Sequence, residues 1–518
     1  MAITVLFASF LFVALFLWSN HRRSSRRKPQ SPPGPKPHWL VGHTFQVPQT
    51  KAWLYFEKLG KEFGPIVKLS LAGDDIVVLN DPKDAEELLN KRSSNYSSRK
   101  PLIYAGRYLS GNKRLVLLPY GPTLKKQRQA FHQMLQPRVV GSYESMQLLE
   151  SSKFLYDMLT SPETAFLNCK RFSASLVFYL SYGRRLSPDD ADLTEVLSIL
   201  DSFIEDCYPG THLLDTFPFL DFDYAWFRKM FGEQKWKEQA REKHDREVRF
   251  YGRLLGEVKD RMSKGEVVEC FAARLWEQKE KHELDEESMA YVAGSAFEAG
   301  TGTTSGSIQF FIMAMILYPH VLQKARKEID SIVGEDSESP PTFEHYDQLP
   351  YCVALCKEVF RWIPAAPGGF PHYSDEDDEY QGYEIRAKTM VIPNIWAMQH
   401  NEQVFPDPKR FIPERFLGVD KADELTEGHW AFGFGRRICP GRYMGAKSVW
   451  IGIVQLIWAF NIGPDYDKDG NPIPIDVDAV TSGINIEPLE FGMRLTPRSE
   501  RHANCIRRMW NEMQNKIQ

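Results

Sequence analysis

Cysteine occurs seven times in 518 residues, and one occurrence limits what the chain can become more than any other stretch. Cys439 stands in Phe432-Gly433-Phe434-Gly435-Arg436-Arg437-Ile438-Cys439-Pro440-Gly441. Two glycines before the cysteine and one after it permit a tight loop whose backbone amides can point at the sulfur. A thiolate needs such donors, or a helix N-terminus, or a metal. Pro440 suits the first turn of a following helix, and residues 440–460 are apolar enough to form one. A single cysteine flanked by arginines, with no second thiolate, is a poor zinc site. It suits a cofactor that brings its own four equatorial ligands and a pair of carboxylates.

The other cysteines (Cys169, Cys207, Cys270, Cys352, Cys356 and Cys505) show no disulfide-framework spacing. The odd count points to reduced thiols in a cytosol-facing body. Cys352 and Cys356, one helical turn apart, read as core thiols. Apolar residues at 43% and charged residues at 25% exclude disordered, collagen-like and polytopic membrane chains. A net charge of −4 offers no global basic field, so no nucleic-acid partner is expected. The length alone would allow several domains. No internal repeat and no second linker divides it, which favours one large body. Aromatic residues at 13% fit either plain core packing or an apolar interior that holds a flat or greasy molecule.

One segment departs from the average. Ile3–Trp18 carries no charge and approaches the ~20 residues of a spanning helix. Arg22, Arg23, Arg26, Arg27 and Lys28 follow it. A cleavable signal peptide has its charges before the apolar run, so this is read as a retained anchor with the remainder in the cytosol. Pro29–Pro37 is proline-dense and reads as a stiff spacer. The predicted organisation is an anchor over 1–20, a basic and Pro-rich hinge over 21–37, and a catalytic body over 38–518. Asn95-Tyr96-Ser97 matches a glycosylation acceptor, which a cytosolic body would leave unmodified.

Within the body, Ile66–Leu79 predicts two short strands around a Gly-Asp-Asp turn, with further strands near Glu384–Arg386 and Met390–Ile392. Residues 151–327 are mostly helical in pattern, and so is the chain beyond Pro440. The fold class is therefore mainly α with small β-sheets, preceded by a single N-terminal transmembrane helix. The helix predicted over Leu284–Leu317 opens with Asp285, Glu286 and Glu287, which suit its positive end, and Pro319 terminates it. Gly300, Gly302 and Gly306 lie in its interior, at about 1 kcal/mol each relative to alanine. Such a helix has either a close packing partner or a ligand against its backbone.

These features resemble the cytochrome P450 family. The Cys439 segment is similar to the family's haem-binding loop, F-x-x-G-x-R-x-C-x-G, at every specified position. The resemblance implies haem b, with Cys439 as the thiolate ligand of its iron, Phe432 shielding the sulfur and Arg437 pairing with a propionate. Glu358 and Arg361 resemble the E-x-x-R pair, closed by Arg415 of Pro413-Glu414-Arg415-Phe416 into a structural triad. His372 stands where the family places a basic propionate partner. Arg128 resembles the arginine of the W-x-x-x-R pattern, although Leu124 replaces its tryptophan. Ala299-Gly300-Thr301-Gly302-Thr303-Thr304 resembles the oxygen-binding helix, with Thr303 as the family threonine and Thr304 beside it. The resemblance implies a slight opening of that helix to admit dioxygen and water. The acid that usually precedes the threonine has become Gly302. Glu298, one turn earlier on nearly the same face, is a candidate relay in its place, with water as the alternative and a structural ion pair as the plainer role. Asp375–Tyr383, Asn394–Met398 and Gly428–Gly445 look most like fungal microsomal enzymes of the O-methylsterigmatocystin oxidoreductase-like group, which mostly tailor secondary metabolites.

The resemblance further implies a distal pocket lined by Ile103–Leu117, Tyr208–Phe219, Tyr291–Thr304, Pro364–Phe370 and Thr481–Ile484. Phe217, Phe219, Phe222, Trp226 and Phe227 would either pack internally or dip into the membrane. No flavin or nicotinamide fingerprint occurs, so electrons come from outside. NADPH-cytochrome P450 reductase is the expected partner, with cytochrome b5 as a possible second, and Lys125, Lys126, Arg442 and Lys447 would form its basic docking patch. The expected function is a haem-thiolate monooxygenase of the endoplasmic reticulum membrane, single-pass, with a cytosolic catalytic domain. Its substrate is expected to be a mid-sized apolar molecule, a secondary metabolite. The alternatives are oxidative coupling, ring closure or desaturation without oxygen insertion, and a non-catalytic haem-binding protein.

Overall fold

The computed structural model describes residues 30–187, 190–207, 211–217, 220–221, 235–335, 338–418 and 424–517. Ile3–Trp18 and the basic cluster after it lie outside these residues. Among the described residues no single helix is long and apolar enough to cross a membrane.

The described chain is mainly helical, with three small sheets. In chain order the principal elements begin with α1 (Ala52–Phe63), β1 (Ile66–Leu71), β2 (Asp74–Leu79), α2 (Pro122–Leu135) and α3 (Glu144–Thr160). Next come α4 (Ala165–Tyr182), α5 (Ala191–Asp206), α6 (Lys235–Ser263), α7 (Glu286–Leu317), α8 (Pro319–Val333) and α9 (Pro350–Trp362). They are followed by β3 (His372–Tyr373), β4 (Asp378–Tyr380), β5 (Tyr383–Ile385), β6 (Met390–Pro393) and α10 (Arg442–Ala459). The chain closes with β7 (Phe460–Pro464), β8 (Met493–Pro497) and α11 (Glu500–Ile517).

The two strands predicted over Ile66–Leu79 pair antiparallel, Ile66 opposite Leu79, with Ala72-Gly73 at the turn. They enter a four-stranded sheet of order β1-β2-β6-β3. Beyond Pro440 the helix ends at Ala459. A β-pair and an irregular stretch intervene before helix resumes at Glu500, so the predicted helical run is broken there. Pro440 precedes that helix instead of opening it, and Gly441 is the residue before its first turn. The Pro-rich stretch is not free from Gln30 onward. Gln30 exchanges backbone hydrogen bonds with Gly382 and Glu384, and the Lys68 amide donates to the Pro33 carbonyl. An extended chain leaves its carbonyls open to such pairing at sheet edges.

Helix α7 is apolar around its whole circumference, as a helix does when neighbours cover every side. Its N-terminal half packs in one cluster with α2, α4, α5 and α6, and its C-terminal half in another with α3, α8, α9 and α10. The Asp285 side chain accepts from the Ser288 amide and caps it, and the helix ends one residue before Tyr318. The interior glycines have packing partners. A Cβ at Gly300 would lie 2.5 Å from Val177, and one at Gly302 would lie 3.4 Å from Glu487.

The polar frame behind the cysteine loop is the triad. Arg361 meets Glu358 through two bonds of 2.7 Å, Arg415 reaches the same carboxylate at 3.3 Å, and the Ile412 amide donates to it at 2.8 Å. The remaining Arg361 donors go to the carbonyls of Gln399, Pro408 and Arg410. Glu358 and Arg361 are fully buried, so their pairing holds three loops together where water cannot substitute. Cys352 and Cys356 are buried free thiols of α9, held protonated by burial. Asn95 is engaged with the backbone of Asp375 and Glu376 through both ends of its amide.

Candidate active site

The cysteine loop is closed by the Cys439 amide, which donates to the Phe432 carbonyl at 2.9 Å. Gly435 is required at the bend. Its φ of +57° is left-handed, and a Cβ there would sit 2.0 Å from the Leu89 carbonyl oxygen. Its amide donates to the Asn90 side chain, which ties the loop to the helical turn Glu86–Lys91. The sulfur lies ahead of the positive end of α10 and accepts from the Gly441 amide. Burial nevertheless pushes the thiol up, against that amide and the Arg128 and Arg442 guanidiniums. A metal at the sulfur would reverse this balance, since coordination deprotonates a thiol outright.

A cationic cluster lies beside the loop. Arg437 donates to the Ser97 carbonyl at 2.6 Å and to the Leu118 carbonyl, and Arg128 of α2 donates to the Ile438 carbonyl at 3.0 Å. Arg99, which the sequence did not single out, joins them and donates to the Pro371 carbonyl at 2.5 Å. Burial and the neighbouring Arg128 lower Arg437 to about 10. Burial, then Arg437 and Arg128, lower Arg99 well below its ordinary value. His372 of β3 is buried, with Nδ1 against the Tyr96 carbonyl at 2.6 Å. Burial, with Arg99 and Arg437 adding to it, lowers this imidazole to about 3, so it is neutral here. These four side chains and Cys439 line one cavity. No carboxylate of the chain makes a salt bridge with Arg99, Arg128 or Arg437 among the described residues. Buried cations without an anion are costly. Two carboxylates delivered by a ligand would answer that imbalance, and the Cys439 thiol would ligate its metal. The residues present therefore fit haem.

The cavity measures about 380 Å³ and runs from Cys439 to α7. Phe432 lines it beside the thiol and packs edge-on against Phe360 at 5.3 Å. Thr303 and Thr304 line the opposite wall. The opening expected in the helix is not seen. It runs unbroken from Glu286 to Leu317, and the Thr303 hydroxyl donates to the Ala299 carbonyl at 2.9 Å, as a threonine does in an ordinary helix.

Glu298 also lines the cavity, but it is held in an ion pair with Arg114 at 2.5 Å and accepts from the Tyr251 hydroxyl. Arg114 pairs in turn with Glu247 at 2.6 Å. All three charged groups are buried, and this is the structural pairing rather than an open relay. Arg114 falls within the predicted Ile103–Leu117 stretch, but its pairing with Glu298 joins residues far apart in sequence and is visible only in the fold.

The expected substrate walls are present in part. Arg114, Leu115 and Val116 come from the first predicted stretch, Ala365, Ala366, Gly369 and Phe370 from the fourth, and Ile484 from the last, joined by Asn485. The second wall is built by Leu200, Phe203, Ile204 and Cys207, on and just after α5, ahead of the predicted Tyr208–Phe219. Tyr208, Phe219, Phe222, Trp226 and Phe227 lie outside the described residues. Of the four proposed docking cations, Lys126 pairs with Glu283 at 2.5 Å and Lys447 with Glu144 at 2.6 Å. Lys125 rests over the Tyr120 ring and Arg442 over that of Tyr443. Arg436, exposed, also lies over Tyr120.

Comparison with known proteins accords with this geometry. The cytochrome P450 family profile matches residues 32–488. Cytochrome P450 monooxygenase 58 of Postia placenta is 36% identical over 490 residues, covering 93% of this chain and 91% of its own. A cytochrome P450 monooxygenase of Armillaria gallica is 34% identical over 476 residues, 90% of each chain. The aneD cytochrome P450 monooxygenase of Aspergillus aculeatus is 33% identical over 485 residues, 93% of this chain and 90% of its own. Members of the family bind haem b through a cysteine thiolate and act with redox-partner reductases on apolar substrates. The chain belongs to the cytochrome P450 family and is a monooxygenase.

Proposed function

We propose that this protein inserts one oxygen atom from dioxygen into a mid-sized apolar secondary metabolite, with electrons from NADPH delivered by a separate reductase. The observation that carries the reading is one cavity with the Cys439 thiol at one wall, a threonine-lined helix at the other, and three half-buried guanidiniums that make no salt bridge with a carboxylate among the described residues. Bound haem supplies the iron that activates dioxygen, with its reactivity raised by thiolate ligation.

The chain's residues do the rest. Cys439 would ligate the iron, with the Gly441 amide and the helix dipole favouring negative charge on its sulfur. Arg128, Arg437 and Arg99 would pair with the propionates. His372 joins them on protonation, which the arriving anion favours. Phe432 keeps water from the thiolate side. Thr303, with Thr304 beside it, presents a hydroxyl to the distal face, where it orients water and steadies proton delivery. The mostly apolar wall selects a greasy substrate and excludes bulk water, while Arg114, Glu298 and Asn485 offer a few polar contacts.

Anchoring through Ile3–Trp18 in the endoplasmic reticulum membrane would place the body in the cytosol, within reach of lipid-soluble substrate and of a membrane-bound reductase. That reductase would dock over Cys439, where Lys125, Arg436 and Arg442 face an acidic partner, with cytochrome b5 a second candidate for the surface. Turnover under labelled dioxygen tests the reading, after substrates are found by difference spectroscopy. One labelled atom in the product supports insertion. An oxidised product without label supports coupling, ring closure or desaturation, the reading that the missing acid at Gly302 favours.

A further inference from the structure

Gly302 has no side chain, yet a carboxylate stands where one would be. The loop between β7 and β8 brings Glu487 against α7 from outside. A Cβ on Gly302 would lie 3.4 Å from Oε1 of Glu487, with no other atom from outside its own stretch of helix within 4 Å among the described residues. One turn on, a Cβ on Gly306 would lie 3.2 Å from Cγ of the same side chain. The two glycines thus form a trough that the Glu487 stem fills. The loop holds it there: the Glu487 amide donates to the Thr481 hydroxyl at 3.0 Å, the Thr481 amide donates to the Glu487 carbonyl at 2.9 Å, and the Ile486 amide donates to Ala365. Two residues before it, Asn485 lines the cavity. The other carboxylate oxygen pairs with Lys170 of α4 at 3.1 Å, and the Lys170 side chain is 40% exposed. Glu487 therefore lies along the Gly302–Gly306 flank of the helix, beside the cavity-lining Thr303 and outside the cavity wall itself, with its other oxygen on a water-facing cation. Glu298 lacks the second link, because its partner Arg114 is 1% exposed and cannot release a proton.

We propose that Glu487 is the carboxyl that passes solvent protons past the open flank of α7 at Gly302 to water beside Thr303, which lines the cavity, doing from a neighbouring loop what an acid on the helix itself would do. This rests on the monooxygenase reading above, which consumes protons at that face. In each passage an O–H bond of the Glu487 carboxyl breaks, one forms on water beside Thr303, and the carboxylate takes a replacement proton from bulk water at Lys170. That last step breaks an O–H bond of a solvent hydronium ion and re-forms the carboxyl O–H, so the protons balance. The groups facing Glu487 are Lys170 and Cys169 of α4 and Asp201 of α5. Burial raises the carboxyl above its ordinary value, Lys170 opposes the rise and Asp201 adds to it. A carboxyl so placed can carry a proton closer to neutral pH than an exposed one.

The test uses the full-length holoenzyme. An infrared pH titration, which needs no substrate, should show a protonated-carboxyl band that is missing in E487Q and whose midpoint moves to higher pH in K170M. With a reductase and no substrate, NADPH, H⁺ and O2 give NADP⁺ and H2O2, so a solvent proton is drawn for each NADPH. E487Q should slow this consumption on the order of 10-fold with an enlarged solvent isotope effect. E487D, and G302D in the E487A background, should restore much of it, which a purely structural role for Glu487 would not allow. Wild-type consumption and isotope effect in E487Q, or an effect of E298Q with none of E487Q, would overturn the proposal while leaving the monooxygenase reading intact. A wild-type enzyme that consumes no NADPH with a competent reductase would remove both.

Discussion

Arg99→Met separates two roles that one side chain could have. Arg99 donates to the Pro371 carbonyl at 2.5 Å, and to those of Val116 and Phe370 at 3.3 and 3.4 Å. It also sits among like charges, and Arg437 and Arg128 both disfavour its charged form. In the haem-free protein, methionine removes the carbonyl bonds but also a half-buried cation that makes no salt bridge among the described residues. These effects oppose each other, so apoprotein stability should change by no more than about 1 kcal/mol. In the holoprotein the same change deletes a charge-assisted bond to a propionate, worth about 2 kcal/mol. That is about a 30-fold loss of haem affinity. Urea unfolding of the apoprotein and transfer of haem to an apomyoglobin acceptor measure the two quantities separately. Equal losses in both would show that Arg99 serves only the carbonyls of its own chain, and the anion-binding argument would fail.

Three further outcomes follow from other parts of the structure. Glu358→Gln leaves Arg361 and Arg415 buried without their carboxylate, at about 3–5 kcal/mol, and should abolish haem incorporation on expression; a holoprotein with near wild-type urea stability would contradict this. His400 is lowered to about 3 by burial and Arg361, and His429 to about 4 by burial with Lys357 adding to it, whereas both titrate near 6.5 when unfolded. The unfolded chain therefore binds more protons below about pH 6.5, and the stability they contribute is complete above that pH and lost as pH falls toward 4. Each supplies a slope of up to about 1.4 kcal/mol per pH unit. H429N should remove its share of that slope in urea unfolding at pH 7, 6 and 5, and an unchanged slope would contradict the assignment. Neutralising Lys125 and Arg442 should weaken reductase binding and flatten its salt dependence more than neutralising Lys126 and Lys447, which already face Glu283 and Glu144; equal effects would contradict the ordering.

The parts of the fold legible in sequence are those whose chemistry is local. The Gly435 bend, the Asp285 cap and the Ile66–Leu79 hairpin are set by residues a few positions apart. The E-x-x-R spacing likewise places Glu358 and Arg361 on one face of α9. What could not be read depends on distant pairing. Arg99, Arg114 and Glu487 look like solvated charges in their own segments, and they are drawn partly (Arg99, Glu487) or fully (Arg114) out of water only when Pro371, Glu298 and Gly302 arrive from elsewhere in the chain. The same limit affected Glu298, whose helical register suggested a relay but whose environment is set by Arg114 and Tyr251. The interior glycines of α7 imply in sequence either a packing partner or a ligand; in the fold Gly302 meets Glu487, and Gly300 both meets Val177 and lines the cavity.

The most direct test is the carbon monoxide difference spectrum of the reduced protein, compared with that of Cys439→Ser. Thiolate ligation at this sulfur requires the red-shifted Soret band of a thiolate–haem complex in the parent and its loss in the variant, with haem still bound through the propionate cluster. A variant that keeps the thiolate band would place the iron on another cysteine and contradict the site.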